Sequence, residues 1–159
     1  MEIYLIRHAA AVPRGDSTLD HARPLTARGR RRFIEAVRGL DRLGVRLDHA
    51  YHSPWIRAVQ TAELLSPVLD GERIALEALA GPPGVPLLEA LRGGRIALVG
   101  HEPWMGQLCS LITGGDADGG LRFPFKKGGV AHLTGIPTPG GGEVVALYPP
   151  KALRLLARK

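Results

Sequence analysis

Four residues of this chain are of a kind that handles anions, and each stands just past a strand-like run. Ile3–Tyr4–Leu5–Ile6 leads into Arg7 and His8, "HAYHS" is followed within four residues by Arg57, and "RIALVG" ends at His101. A cation or an imidazole driven to the tip of a buried strand is costly unless it is paired. Either a partner waits inside the protein or an anion comes from outside. Two guanidiniums and two imidazoles brought to one rim would repel each other without an anion among them. Planar guanidiniums match phosphate oxygens. Helix N-termini after Pro54 and Pro103 would aim backbone N–H groups the same way. From the residue types alone, the chemistry expected is phosphate binding.

The elements that must position these residues can be read from pattern. Strand-like runs fall at Glu2–Arg7, His49–Ser53, Arg73–Glu77, Arg95–Gly100, Gly129–Gly135 and Glu143–Tyr148. Between them lie helical patterns. Thr26 is placed to cap a helix reaching about Leu43, with Phe33, Val37 and Leu40 on one face and Gly44 to end it. A second helix is expected from Trp55 to about Leu69, bent or broken near Pro67. A short third runs from Pro86 to Leu91. A fourth runs from Pro103 to about Thr113, with proline in its first turn as helices allow, and a basic last helix covers Lys151–Arg158. Strands alternating with helices predict one three-layer α/β domain over residues 1–159, its sheet mostly parallel and covered on both faces. In such sheets ligands bind beyond the carboxyl ends of the strands, where Arg7, His8, Arg57 and His101 would converge.

Composition sets the bounds. The 159 residues are 45% hydrophobic and 23% charged, with a net charge of +6. That length suffices for one domain with a real core. A basic surface suits an anionic small molecule or phosphoprotein. There is no zinc-finger spacing, RNP-like aromatic pattern or basic amphipathic array, so nucleic acid is not expected as a partner. "TARGRRRF" is the densest basic run, and it falls where a helix should start. No stretch approaches a membrane span of roughly 20 apolar residues, no positively charged leader precedes the first apolar run, and Cys109 is the only cysteine. A cytoplasmic protein without disulfides is expected. No Cys/His cluster or "HExxH" spacing points to a metal. No "GxSxG" elbow, Walker loop or "GxGxxG" appears. His21, His49, His52 and His132 lack the strand-tip placement and are expected to be structural.

Four segments, in order, carry a resemblance to a known family. "LIRHA" resembles the "RHG" signature of the histidine phosphatase superfamily, "RPLTARG" the stretch opening its first helix, "HSPWIRAVQTAEL" its "SPxxRAxQTAE" segment, and "LVGHEPWMGQL" its "GHxP" segment. The short chain, without an extra helical subdomain, is most similar to SixA-type phosphohistidine phosphatases. The resemblance implies a phosphoglycerate mutase-like fold and a covalent phosphohistidine on His8. Arg7, Arg57 and His101 would hold the phosphoryl oxygens. It adds Arg23 as a further phosphate ligand and Glu77 as a possible general acid, and it implies no cofactor. Glu102, beside His101, is expected to serve a helix N-terminus.

Two departures stand out. Ala9 replaces the family's glycine after the nucleophile, and the family's acid aligns near Ala78 as readily as Glu77. A missing acid suits a phosphohistidine, whose imidazole leaves more easily than an alkoxide. Alternatives are a small-molecule phosphomonoesterase or mutase, and a phosphate-binding module without turnover.

Overall fold

The computed structural model describes residues 1–158. Six strands form one sheet: β1 (Glu2–Arg7), β2 (Leu47–His52), β3 (Leu69–Ala75), β4 (Arg95–Gly100), β5 (Val130–Gly135) and β6 (Gly142–Tyr148). The five α-helices among the described residues are α1 (Ala27–Arg42), α2 (Ile56–Glu63), α3 (Val85–Glu89), α4 (Trp104–Gly114) and α5 (Pro150–Leu156). Strand order is β3-β2-β4-β1-β5-β6. β3, β2, β4 and β1 are parallel neighbours, while β5 runs antiparallel to β1 and to β6. The sheet is therefore mixed, with a parallel core.

Alternation along the central strands builds the layers. Tyr4 and Ile6 of β1, with Ala97 and Val99 of β4, face a core completed by Phe33, Val37 and Leu40 of α1 and Leu153 of α5. Ile3 and Leu5, with Ile96 and Leu98, face Leu87 and Leu88 of α3 and Met105, Leu108 and Ile112 of α4. Each side chain flips the face it serves because the strand period is two. Thr26 caps α1 as expected, its Oγ1 accepting from Gly29 N at 2.9 Å.

The second helix differs from its expectation. It ends at Glu63, a 3-10 turn covers Ser66–Val68, and β3 already begins at Leu69. Pro67 has no N–H to continue an α-helix. β3 is an edge strand, exposed at Asp70, Gly71, Glu72 and Arg73, so its first half carries no apolar alternation to read. Among the described residues no helix is long and apolar enough to cross a membrane.

Candidate active site

The parallel ladder brings three strand tips level. Arg7 pairs with Gly100, and His52 with Val99. One residue further on, His8 N donates to Gly100 O at 3.0 Å and Ser53 N to Val99 O at 3.0 Å. His8, Ser53 and His101 thus emerge side by side, and α2 brings Arg57 in from its first turn. His8, Arg57 and His101 are all buried. The His8 and His101 ring centroids are 5.2 Å apart, close enough for one phosphoryl group to touch both.

His8 is held in one tautomer. Its Nδ1 lies 2.7 Å from Ala9 O, an acceptor only, so Nδ1 carries the proton. Nε2 is left with its lone pair, towards which Arg57 Nε–H donates at 3.2 Å. Burial, above all, pushes the His8 pKa down to about 3; the Ala9 carbonyl opposes that shift, and Arg57, Arg7 and Lys127 add to it. Desolvation thus outweighs charge repulsion from the arginines. The loop that carries His8 is braced from several sides. Ala9 N donates to Thr61 Oγ1 at 3.0 Å, and Leu25 N donates to Gln60 Oε1 at 2.8 Å, so the "QT" of "RAVQTAEL" acts as a brace. Ala10 O accepts from Thr26 N at 3.0 Å. A Cβ on Gly29 would collide with that same carbonyl, so α1 docks on the loop only with glycine there. Gly128, at φ +77, donates its N–H to the carbonyls of Arg7 and His8 at 3.0 and 3.1 Å. Among the described residues no residue other than glycine has positive φ. Ala9 therefore replaces the family's glycine without backbone strain.

His101 shares a 2.8 Å hydrogen bond between Nε2 and Ser53 Oγ. Burial, then the charges of His8 and Arg57, push its pKa down to about 3, Asp20 opposing. Trp55 and Trp104 flank it, with centroids 4.6 and 6.0 Å from the His101 ring, and Arg57 lies over Trp55 at 4.7 Å. Arg7 donates from Nη1 to Phe125 O at 2.6 Å. Burial lowers the pKa of Arg7 and of Arg57, with Glu102 opposing at Arg7 and Asp20 opposing at Arg57. Four buried side-chain nitrogens lack a partner among the described residues, and two of them, Arg7 Nε and His101 Nδ1, belong to this cluster.

Asp20 is the site residue that sequence reasoning missed. Arg57 Nη1 donates to its carbonyl at 2.6 Å, and its carboxylate contacts Arg57 Nη2 at 3.4 Å, Arg23 at 2.8 Å and Arg14 at 3.0 Å. Arg23 thus joins the cluster through Asp20, and it also donates to Val12 O at 2.7 Å. The only available signal was the carboxylate three residues before Arg23 in "DHARPLT".

Glu77 does not join the cluster. It opens an exposed 3-10 turn after β3 and makes no side-chain hydrogen bond or ion pair among the described residues. Glu102 Oε1 accepts from Gly106 N at 3.2 Å in the first turn of α4, the helix-terminal role expected of it. Burial pushes its carboxyl pKa up, against Arg7 and the Gly106 and Phe125 backbone. His132 stacks on Tyr4 at 4.4 Å, His49 meets Tyr51 edge-on, His52 bonds Ser53 O, and His21 is exposed next to Asp20. Among the described residues no group of three or more His, Cys, Asp or Glu is placed to hold a metal ion.

The comparisons fit this geometry. Residues 3–80 match the model of the histidine phosphatase superfamily (branch 1). An uncharacterized protein of Picosynechococcus sp. is 32% identical over 141 residues, 84% of each chain. The chain belongs to the histidine phosphatase superfamily. It is a phosphatase, a hydrolase of phosphoryl groups. Its fold is similar to that of the protein histidine phosphatase SixA complexed with tungstate, at TM-score 0.79 and 23% identity over 96% of this chain and 99% of that one. It is also similar to phosphoserine phosphatase from Entamoeba histolytica in complex with 3-phosphoglyceric acid, at TM-score 0.71 and 16% identity over 96% and 98%.

Proposed function

We propose that this phosphatase hydrolyses phosphohistidine on a protein, by way of a phosphoryl group carried on His8. The observation that carries the reading is the unprotonated Nε2 of His8, set by the Nδ1–H bond to Ala9 O, whose lone pair is freed for attack when Arg57 Nε–H turns from it to a phosphoryl oxygen. Nε2 attacks phosphorus, an Nε2–P bond forms, and the P–N bond to the substrate imidazole breaks. That imidazole, protonated on its other nitrogen, leaves as a neutral ring and needs no proton from the enzyme. Water then attacks phosphorus, the Nε2–P bond breaks, and inorganic phosphate departs. Arg57 and Arg7 hold phosphoryl oxygens through both steps. With Ser53 Oγ–H donating to His101 Nε2, the His101 proton sits on Nδ1 and is available to a third oxygen. Arg23 holds Asp20 and, through it, Arg57.

The placement of the acids supports this substrate class. Glu77 is exposed and apart, and Glu102 is engaged by Gly106 and faces the charge of Arg7. A site without a free acid favours a leaving group that departs unaided, which an imidazole does and an alkoxide does not. The test is turnover of a histidine-phosphorylated peptide against para-nitrophenyl phosphate and 3-phosphoglycerate. The phosphohistidine should give the highest kcat/KM, with 3-phosphoglycerate lowest. Rapid turnover of 3-phosphoglycerate with none of phosphohistidine would refute the reading.

A further inference from the structure

A basic cleft adjoins the candidate active site. It holds about 290 Å³ between α1, the 125–129 loop and the start of α5. Phe33, Ala36, Pro149 and Pro150 supply apolar surface. Arg32, Lys126, Lys127, Lys151 and Arg154 supply the charge, and no acidic residue lines the cleft. Arg154 has Glu35 at 3.8 Å. The other four cations are exposed and have no ion-pair partner among the described residues. Four like charges gathered from three elements raise the local potential well above what any one contributes.

The cleft is continuous with the chemistry. Ala9 and Ala10, the two residues after His8, line one end of it. Lys127 is close enough for its charge to lower the pKa of His8. Gly128, next in sequence, is bonded to the carbonyl of His8 itself. A chain whose phosphoryl group reached His8 would pass its neighbouring residues along this trough.

We propose that the cleft docks an acidic segment of the phosphorylated protein, with carboxylates on the lysines and arginines and apolar side chains against Phe33 and the two prolines. This rests on the phosphohistidine reading and adds to it a sequence preference: acidic residues flanking the modified histidine. A trough with an apolar lining and a cationic border suits an amphipathic acidic stretch, since the carboxylates remain partly hydrated at the rim while the apolar side chains are buried.

The experiment uses two histidine peptides alike except that one carries four Glu where the other carries four Gln. Each is prepared dye-labelled and unphosphorylated for binding, and phosphorylated with phosphoramidate for turnover. Fluorescence anisotropy should show the Glu peptide bound about tenfold or more tightly than the Gln peptide at low salt. That preference should shrink in 0.5 M salt, where screening is short-ranged. In the double variant Arg32→Glu, Lys151→Glu it should vanish, while para-nitrophenyl phosphate turnover stays at the wild-type level and shows the fold and site intact. Equal binding of the two peptides, or a preference that survives the double variant, overturns the proposal. So does tighter binding of an oligothymidylate than of the Glu peptide, which would assign the cleft to nucleic acid. Binding is read without turnover. Failure of both phosphopeptides to be hydrolysed, with the Glu preference intact, would count against the phosphohistidine reading and leave the cleft standing.

Discussion

The two buried imidazoles should make the protein acid-sensitive in a way that can be assigned to single residues. A histidine in an unfolded chain has a pKa of about 6.5, whereas folding holds His8 and His101 each at about 3. Between these values the unfolded chain binds a proton on each ring that the folded chain refuses. Stability from these rings is thus fully present above pH 6.5 and is lost as the pH falls from there towards 3. At pH 5 the shortfall is about 1.5 pK units, or about 2 kcal/mol for either ring. Urea denaturation at pH 8 and pH 5 measures it. Wild type should lose about 2 kcal/mol more than His8→Gln over that interval, because the variant has no ring to protonate. His101→Gln should behave alike. Histidine NMR supplies an independent reading: the His8 ring should remain neutral, with its proton on Nδ1, down to pH 5. Titration of His8 near pH 6.5, or identical pH dependence in wild type and His8→Gln, would refute the argument from burial.

Further outcomes concern chemistry and packing. His8→Ala should abolish turnover, together with an acid-labile, alkali-stable phosphoryl adduct recoverable by rapid quenching without acid; an adduct on Ser53 would reassign the nucleophile. Arg57→Ala should raise KM and lower kcat together, since its guanidinium would contact the phosphoryl group before and during transfer. Excess EDTA should leave activity unchanged, because the guanidiniums of Arg7 and Arg57 would offset the phosphoryl charge; loss restored by a divalent ion would contradict that assignment. Gly29→Ala should lower stability by about 1–3 kcal/mol through the collision with Ala10 O, and should lower kcat as the His8 loop shifts; an unchanged Tm and kcat would show that the helix docks differently.

The sequence made the site legible because its residues sit where strands end. The runs around Ile3–Ile6 and Ile96–Val99 are apolar enough to be placed as buried strands, and the carboxyl-end rule then gathers Arg7, His8 and His101 without any further information. Thr26 and Gly44 marked the bounds of α1 by local chemistry alone. The unread parts depend on distance along the chain. Asp20 meets Arg57 across 37 residues, and the local sequence signals only its nearness to Arg23. β3 lies at the edge, so its exposed first half has no pattern to betray it, and α2 stops short where Pro67 removes a donor. The leading role of burial in the His8 pKa also emerges only once the layers close over it.

β1 lies inside the sheet, hydrogen-bonded on both sides by β4 and β5 and covered on both faces. His8 extends its final turn of backbone, tied to Gly100 and Gly128. The ring proposed as the nucleophile therefore grows from the part of the molecule with the least freedom to open by itself. Local fraying, which begins at edges and termini, leaves it untouched. Heat should then switch off the enzyme only by dismantling the whole domain, so that the inactivation curve of a short incubation overlays the melting curve, and the backbone amide of His8 exchanges with solvent as slowly as any in the protein.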